Sequence, residues 1–431
     1  MDARPASWSQ PADWTRAALA AIVATAVFAG AWTSLHYGFY ARNHITDTPV
    51  YKRYGDAIVN GNVPYRDFTV EYPPAAIPTF VVPSAIVGAD GSIRDYNTVF
   101  GVLMAICGAL AVGLVAYTLV LDGAGTTRLV AGCALAALAP LALGSVLLTR
   151  FDLWPTVVTT GAIAALVSKR ERLAFGVLGL GIAAKIYPLV LLPLFVAWTW
   201  RGLGRRRAAE GVGISALAVL VCALPFFALS PHGTWESALR QLSRPLQIET
   251  LGSSFLLVGH QVFDLGITER NGYGSQNLVG SLPDGLALAQ AAIELVTIVG
   301  IWVWFARGPA DRGRLFRACA GAVCAFIVFG KVLSPQFLVW LVPLVALVRG
   351  RRGLAAGVIL VAALVVTQLW FPYRYWDLAL GFDTLASWLV LARDLTLLVL
   401  LAVLVWPEPR PARTGRRIRP SYAFAPEASL D

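Results

Sequence analysis

Charge is scarce in this chain. Of 431 residues only 14% are Asp, Glu, Lys or Arg, where a soluble domain carries roughly a quarter. So few charges cannot clothe an ordinary water-exposed surface. Cysteine is scarce too. Cys107, Cys133, Cys222, Cys319 and Cys324 all fall inside apolar segments. They have neither the spacing of a disulfide framework nor a metal-ligand spacing with histidine, so they read as packing residues. No Gly-rich phosphate loop of the P-loop type occurs, which argues against an ATP-driven transporter. A soluble catalytic domain is missing as well.

Apolar residues take the place of charge: 57% of the chain is hydrophobic and the mean hydropathy is +0.65. Apolar runs of about 20 residues, each long enough to cross a bilayer, alternate with short charged loops. The first run, near residues 16–37, lacks a small-residue cleavage site and reads as a retained helix rather than a signal peptide. The net charge of +10 invites a nucleic-acid partner, but its distribution argues otherwise. Lys and Arg concentrate in alternate loops such as 169–172, 201–207, 307–317 and 349–352. That is the positive-inside pattern, so the basic side is expected in the cytoplasm, facing anionic lipid.

Anchored on those clusters, the chain is predicted to be an all-α polytopic membrane protein of about twelve transmembrane helices. The expected division is a cytoplasmic N-terminus over 1–16, a membrane domain over 17–406 and a disordered basic cytoplasmic tail over 407–431. Two long outer loops are expected, 37–95 and 230–284. The first holds a short helix over 50–59 and a proline-broken interfacial piece over 75–88. Two stretches bounded at both ends by basic clusters, 173–200 and 318–348, must fold as hairpins of short helices. Their turns fall at Lys185-Ile186-Tyr187-Pro188 and at Lys331-Val332-Leu333-Ser334-Pro335-Gln336, where proline suits a break. The polar and aromatic residues gather in the outer loops, so chemistry is expected on the outer face.

Several residues stand out. Asp47 precedes Thr48-Pro49; it suits a general base toward a hydroxyl at the membrane surface, or equally a helix N-cap. Asp56 competes with it. Glu71, before Tyr72-Pro73-Pro74, can orient a substrate or pair with Arg66. Lys185, Lys331 and Arg150 can converge on an anionic lipid headgroup, because charges at such depth tend to line a polar cavity. Snorkelling to the interface is the alternative for each lysine. Glu294 can pair with Arg393, whereas neighbours Arg393 and Asp394 project about 100° apart on a helix.

The first loop (Asp47, Tyr51, Tyr54, Asp56, Gly61, Pro64-Tyr65, Tyr72-Pro73-Pro74) resembles that of the actinobacterial polyprenol-phosphate-dependent glycosyltransferases. Those are family 87 enzymes of the C-type glycosyltransferase (GT-C) fold. Gly181 to Pro188 is similar to the family's lysine–proline turn. Lys331 to Phe337, with Trp340 and Pro343, is similar to its later counterpart. The resemblance implies an inverting transferase of the cell membrane, with its active site on the extracytoplasmic face. It would move a sugar, mannose first and arabinofuranose second, from a polyprenyl-phosphate donor to a glycolipid or polysaccharide acceptor of the cell envelope. Asp47 would be the catalytic base. Asp56, Glu71, Tyr51, Arg150, Lys185, Lys331 and Gln336 would bind substrate, and no cofactor or metal would be required. The competing readings are a transporter or flippase for a lipid-linked sugar and a non-catalytic assembly subunit.

Overall fold

The computed structural model describes residues 14–42 and 45–406. The expected N-terminal segment up to residue 13, His44 and the basic tail from 407 lie outside the described residues. Within them the chain is a helical bundle. Helix α1 (Trp14–Ser34) is followed by the short helices α2 (Thr48–Val59) and α3 (Pro78–Val87). Next come α4 (Ile93–Leu121), α5 (Thr126–Leu143), α6 (Leu153–Val167), α7 (Glu171–Ala184), α8 (Leu192–Leu203) and α9 (Arg205–Leu229). After α10 (Pro231–Leu242) the chain forms β1 (Leu246–Gln247), α11 (Leu251–Phe263), β2 (Thr268–Gly272) and β3 (Ser275–Val279). The bundle is completed by α12 (Ser281–Arg307), α13 (Arg312–Val328), α14 (Leu341–Ala346), α15 (Gly350–Trp370), α16 (Tyr375–Gly381) and α17 (Thr384–Val405).

Among the described residues seven helices, α1, α4, α5, α9, α12, α15 and α17, are long and apolar enough to cross a membrane. Leu217, Leu220, Val221 and Leu224 of α9 stay exposed, a surface that lipid rather than water can cover. The inner bundle is formed by α1 on α4 and α5, α4 on α6, α7 on α9, and α15 and α13 on α17. Both proline-bearing turns break their hairpins. Helix α7 stops at Ala184, Lys185 is extended, and a 3-10 turn over Tyr187–Leu191 leads into α8. Likewise α13 stops at Val328, and a 3-10 turn over Pro335–Trp340 leads into α14. Before Pro335, Ser334 is extended, as the steric restriction on a residue preceding proline favours, whereas Tyr187, before Pro188, stays within its 3-10 turn and the break falls at Lys185.

Alternating helix directions give the bundle two distinct ends. At one, the side chain of Asp122 is fully buried and takes Arg128 at 2.7 Å and Arg349 Nε at 2.8 Å, tying α4, α5 and the start of α15 together. We call this the basic end. The opposite end carries α2, α3, the turn 149–152, both hairpin breaks and a small antiparallel sheet of order β1-β3-β2. The sheet departs from the purely helical expectation. Its hairpin turns at Tyr273 and Gly274, both with positive φ, the backbone geometry of a two-residue hairpin turn.

Candidate active site

The end opposite the basic cluster concentrates the charged residues that the sequence singles out. Asp47 stands at the N-cap of α2, with Pro49 in the first turn. Its backbone oxygen accepts from Val50 and Tyr51 at 2.9 and 3.1 Å. Its carboxylate makes no capping hydrogen bond. It is ion-paired with Arg150 instead and lies 3.4 Å from the Tyr51 hydroxyl. That carboxylate is 33% exposed while Arg150 is buried, so the base candidate can be reached and its partner cannot.

The turn Thr149-Arg150-Phe151-Asp152 organises the centre. It follows a 3-10 turn over Ser145–Leu148 that starts at Gly144, whose φ is +83°. Asp152 is the N-cap of α6, yet it too makes no side-chain cap. One carboxylate oxygen takes Lys185 Nζ at 2.6 Å and the indole N–H of Trp340 at 2.9 Å; the other has no hydrogen-bond partner. Both aspartates therefore hold their charge near a helix N-terminus, where the macrodipole favours it, while directing it at a cation. Lys185 is caged by the rings of Phe151, Phe337 and Trp340, at 4.7, 4.8 and 4.9 Å from their centroids. Such faces attract a cation. Trp340 is locked between Tyr187 and Phe337, stacked at 4.1 and 4.2 Å. Tyr51 stacks on Phe80 at 4.4 Å, and Tyr72 meets Phe151 edge-on at 5.1 Å. The two ion pairs thus share one aromatic wall.

The remaining candidates stand elsewhere. Asp56 has both oxygens engaged, one by Lys52 at 2.5 Å and one by Ser84 at 2.7 Å, and so joins α2 to α3. Glu71 lies in a separate shallow cleft with Thr69, Ser237, Arg240 and Tyr273. It does not pair with Arg66, which instead chelates Asp67 at 2.8 and 2.9 Å and holds that carboxyl down to about 2. Lys331 does not converge with Arg150 and Lys185. Its ammonium donates to the carbonyl of Leu242 at 2.5 Å, and its charged neighbours are Arg244 and Glu294. Burial, and after it Arg244, lowers its affinity for a proton. Gln336 is buried beside the cage, its side-chain oxygen unpartnered. The expected pairing of Glu294 with Arg393 is replaced by one between neighbours: Arg393 Nε is 2.6 Å from Asp394. A long guanidinium can fold back along the helix, so the 100° between Cβ directions did not forbid the contact.

Sequence reasoning overlooked Asp152 and Glu249. Glu249 follows β1 and is 2% exposed. Gln247 donates to one of its oxygens, and Arg393 donates to its backbone carbonyl at 2.5 Å. Burial pushes its carboxyl up to about 8, against the pull of Arg393 and Arg150. Nothing local distinguishes a single Glu in a long polar loop; the signal lay in Arg393, a cation deep in an apolar run that needs a partner.

An almost wholly apolar, narrow groove runs between α4 and α5, lined by Gly108, Val112, Ala136 and Pro140. It reaches Leu147, two residues before the turn that carries Arg150 and Asp152, and Leu153, directly after it. Among the described residues no group of three His, Cys, Asp or Glu is placed to hold a metal ion.

A family model, glycosyltransferase family 87, matches residues 68–335, well over half of the chain. The match contains Arg150, Asp152, Lys185, Glu249 and Lys331 and begins after Asp47. No curated protein matches the chain significantly.

Proposed function

Since the chain belongs to glycosyltransferase family 87, we propose that it is an inverting, polyprenyl-phosphate-dependent sugar transferase of the GT-C type, with Asp47 as its base. In this reading the seven long helices and the shorter pieces together make about twelve spans. The active site faces the extracytoplasmic side of the cell membrane. The observation that carries the proposal is the double ion pair: an accessible carboxylate on Arg150, one residue from a ring that cages Lys185, with an apolar groove that reaches Leu153, the residue after Asp152.

The polyprenyl tail would enter from the bilayer along the groove of α4 and α5, bringing its phosphodiester to Arg150 and Lys185. The lipid phosphate competes with Asp47 for Arg150, which frees the Asp47 carboxylate. Asp47 then takes the proton of an acceptor hydroxyl. The acceptor oxygen bonds to the anomeric carbon from the face opposite the phosphate. The bond from that carbon to the phosphate oxygen breaks, and its electron pair stays on polyprenyl phosphate. The leaving group gains a negative charge, so preorganised cations serve it better than an acid would. Mannose is the favoured sugar and arabinofuranose the next; envelope glycolipid or polysaccharide is the favoured acceptor.

Membranes containing the full chain, supplied with labelled polyprenyl-phosphate mannose or arabinofuranose, test this. Asp47→Asn should lose transfer by about a hundredfold or more, the usual scale of a general base, while Asp56→Asn should keep most of it. Lys185→Ala should raise the donor concentration needed for half-maximal rate. An active Asp47→Asn enzyme would remove the base assignment.

A further inference from the structure

Lys331 and Arg244 are two cations, at the end opposite the basic cluster, that the transfer chemistry leaves unused. The chain folds around Lys331. The carbonyl of Leu242 accepts from its ammonium at 2.5 Å, and its own carbonyl accepts from the Gln247 N–H at 3.0 Å. Arg244 lies between those two contacts in sequence. Among the described residues neither cation forms an ion pair. Arg244 donates to Ser275 Oγ at 3.0 Å and reaches Gln241 only at 3.5 Å, and its buried Nε has no hydrogen-bond partner. The Lys331 ammonium has further N–H groups to give once Leu242 has taken one. The charge that acts most strongly on Lys331 is that of Arg244, ahead of Glu294. Glu71 acts on Arg244 in turn, yet both carboxylates stand beyond ion-pair reach. Like charges kept together without a counter-ion are costly where water is scarce, and a bound anion removes that cost.

Both flanks of this pair face lipid. Leu242 belongs with Trp235 and Leu239 to an exposed apolar stripe along one side of α10, and α10 follows directly on the lipid-facing α9. On the other flank, Ile293, Leu295 and Val296 are exposed around Glu294 on α12. A stripe of this kind, continuous with a membrane helix, lies in the interface between headgroups and acyl chains. We propose that Arg244 and Lys331 form a second phosphate site, separate from Arg150 and Lys185, that holds the phosphodiester headgroup of an anionic phospholipid. One non-ester oxygen takes the unpartnered Arg244 Nε–H and the other an uncommitted N–H of Lys331. Basic pockets between membrane helices recognise acidic lipids by the same chemistry. A zwitterionic headgroup is disfavoured, because it brings its own cation against two others. The bound lipid joins the segment before β1 to the second hairpin, which carries Phe337 and Trp340 of the Lys185 cage, so it also stabilises that end of the bundle.

The second site stands apart from the polyprenyl-phosphate reading, and binding and melting measurements on the purified full-length protein in detergent test it. The probes are short-chain phosphatidylglycerol, short-chain phosphatidylcholine, inorganic phosphate and polyprenyl phosphate. Wild type should bind phosphatidylglycerol at least about tenfold more tightly than phosphatidylcholine, the scale of one hydrogen bond to a charged group, and should melt higher in its presence. Arg244→Gln and Lys331→Gln should each lose most of that preference, while Lys331→Arg and Lys185→Ala should keep it. Melting without lipid reports whether each variant folds. Folded glutamine variants that keep the full preference overturn the site. A wild type that binds the two phospholipids equally overturns it too, whatever the variants do. Inorganic phosphate that displaces phosphatidylglycerol at equal concentration would make the ligand a soluble anion and overturn the lipid assignment. Loss of polyprenyl phosphate binding in the same glutamine variants would merge the two phosphate sites and overturn a separate one. Where wild type binds no polyprenyl phosphate, the donor reading falls and the phosphatidylglycerol preference still decides this one.

Discussion

Glu249 is a carboxyl with an unusual proton balance, and this gives the protein a stability that depends on pH in a definite direction. In the folded chain its carboxyl is pushed up to about 8 by burial, partly offset by Arg393 and Arg150, with Asp394 adding to the rise and the Gln247 hydrogen bond opposing it. In the unfolded chain a glutamate titrates near 4.3. Between those values the folded form holds a proton that the unfolded form has lost, so stability falls as pH rises, and the loss is complete above about 8. Glu249→Gln keeps the shape and removes the titration. Thermal melts of wild type and Glu249→Gln at pH 5 and pH 8 should show the variant gaining relative to wild type at the higher pH. Parallel behaviour at the two values would show that Glu249 ionises freely in the fold. Such a residue was not legible in the sequence, because burial is a tertiary property and nothing in the loop 230–284 sets this glutamate apart. Arg150 and Lys185 were legible, since a cation in an apolar stretch needs a reason. Asp152, the counter-ion of Lys185, was not, because it sits at a helix start, where aspartate is ordinary.

Elements were more legible than contacts. Proline and charge marked both hairpin breaks, at Lys185 and at Lys331, and the helix expected over 50–59 runs Thr48–Val59. The three-stranded sheet was invisible for a physical reason. Its strands are short and their residues, such as Thr268-Glu269-Arg270-Asn271, show no apolar alternation, so only the Gly272-Tyr273-Gly274 turn hinted at a hairpin. What fixes the base candidate in space is the packing of α2 on α3. Gly55 is central to it: a Cβ there would overlap the carbonyl oxygen of Phe80 and the side chain of Ser84, which also holds Asp56. Gly55→Ala must push the two helices apart. It should cost about 1–3 kcal/mol of stability, the scale of an overpacked contact, and lower transfer as Asp47 shifts from Arg150. Gly30→Ala in α1, where a Cβ meets open space, is the control and should melt as wild type does. Equal melting of the two variants would mean that α2 and α3 are not held in register by this contact.

At the scale of the whole molecule, charge sorts the two ends of the bundle. Arg128, Arg312 and Arg349 gather on Asp122 at one end, while Asp47, Asp152 and Glu249 gather at the other. In the orientation proposed above, the positive-inside bias would hold the basic end in the cytoplasm and the carboxylate end would face outward, where a flipped lipid donor and an envelope acceptor would meet. The orientation can be measured directly, because the natural cysteines offer little background. Cys107, Cys133, Cys319 and Cys324 are buried, and Cys222 lies half-buried in the apolar α9. Gly266 precedes β2 at the carboxylate end and is exposed, with open space where a side chain would stand. Arg206, at the start of α9, is exposed at the basic end. In intact cells a membrane-impermeant maleimide should label Gly266→Cys and leave Arg206→Cys untouched until the membrane is permeabilised. The reverse pattern would put Asp47 in the cytoplasm, where the lipid-linked donor would have to be used before flipping, and the outward-facing transferase would have to be abandoned.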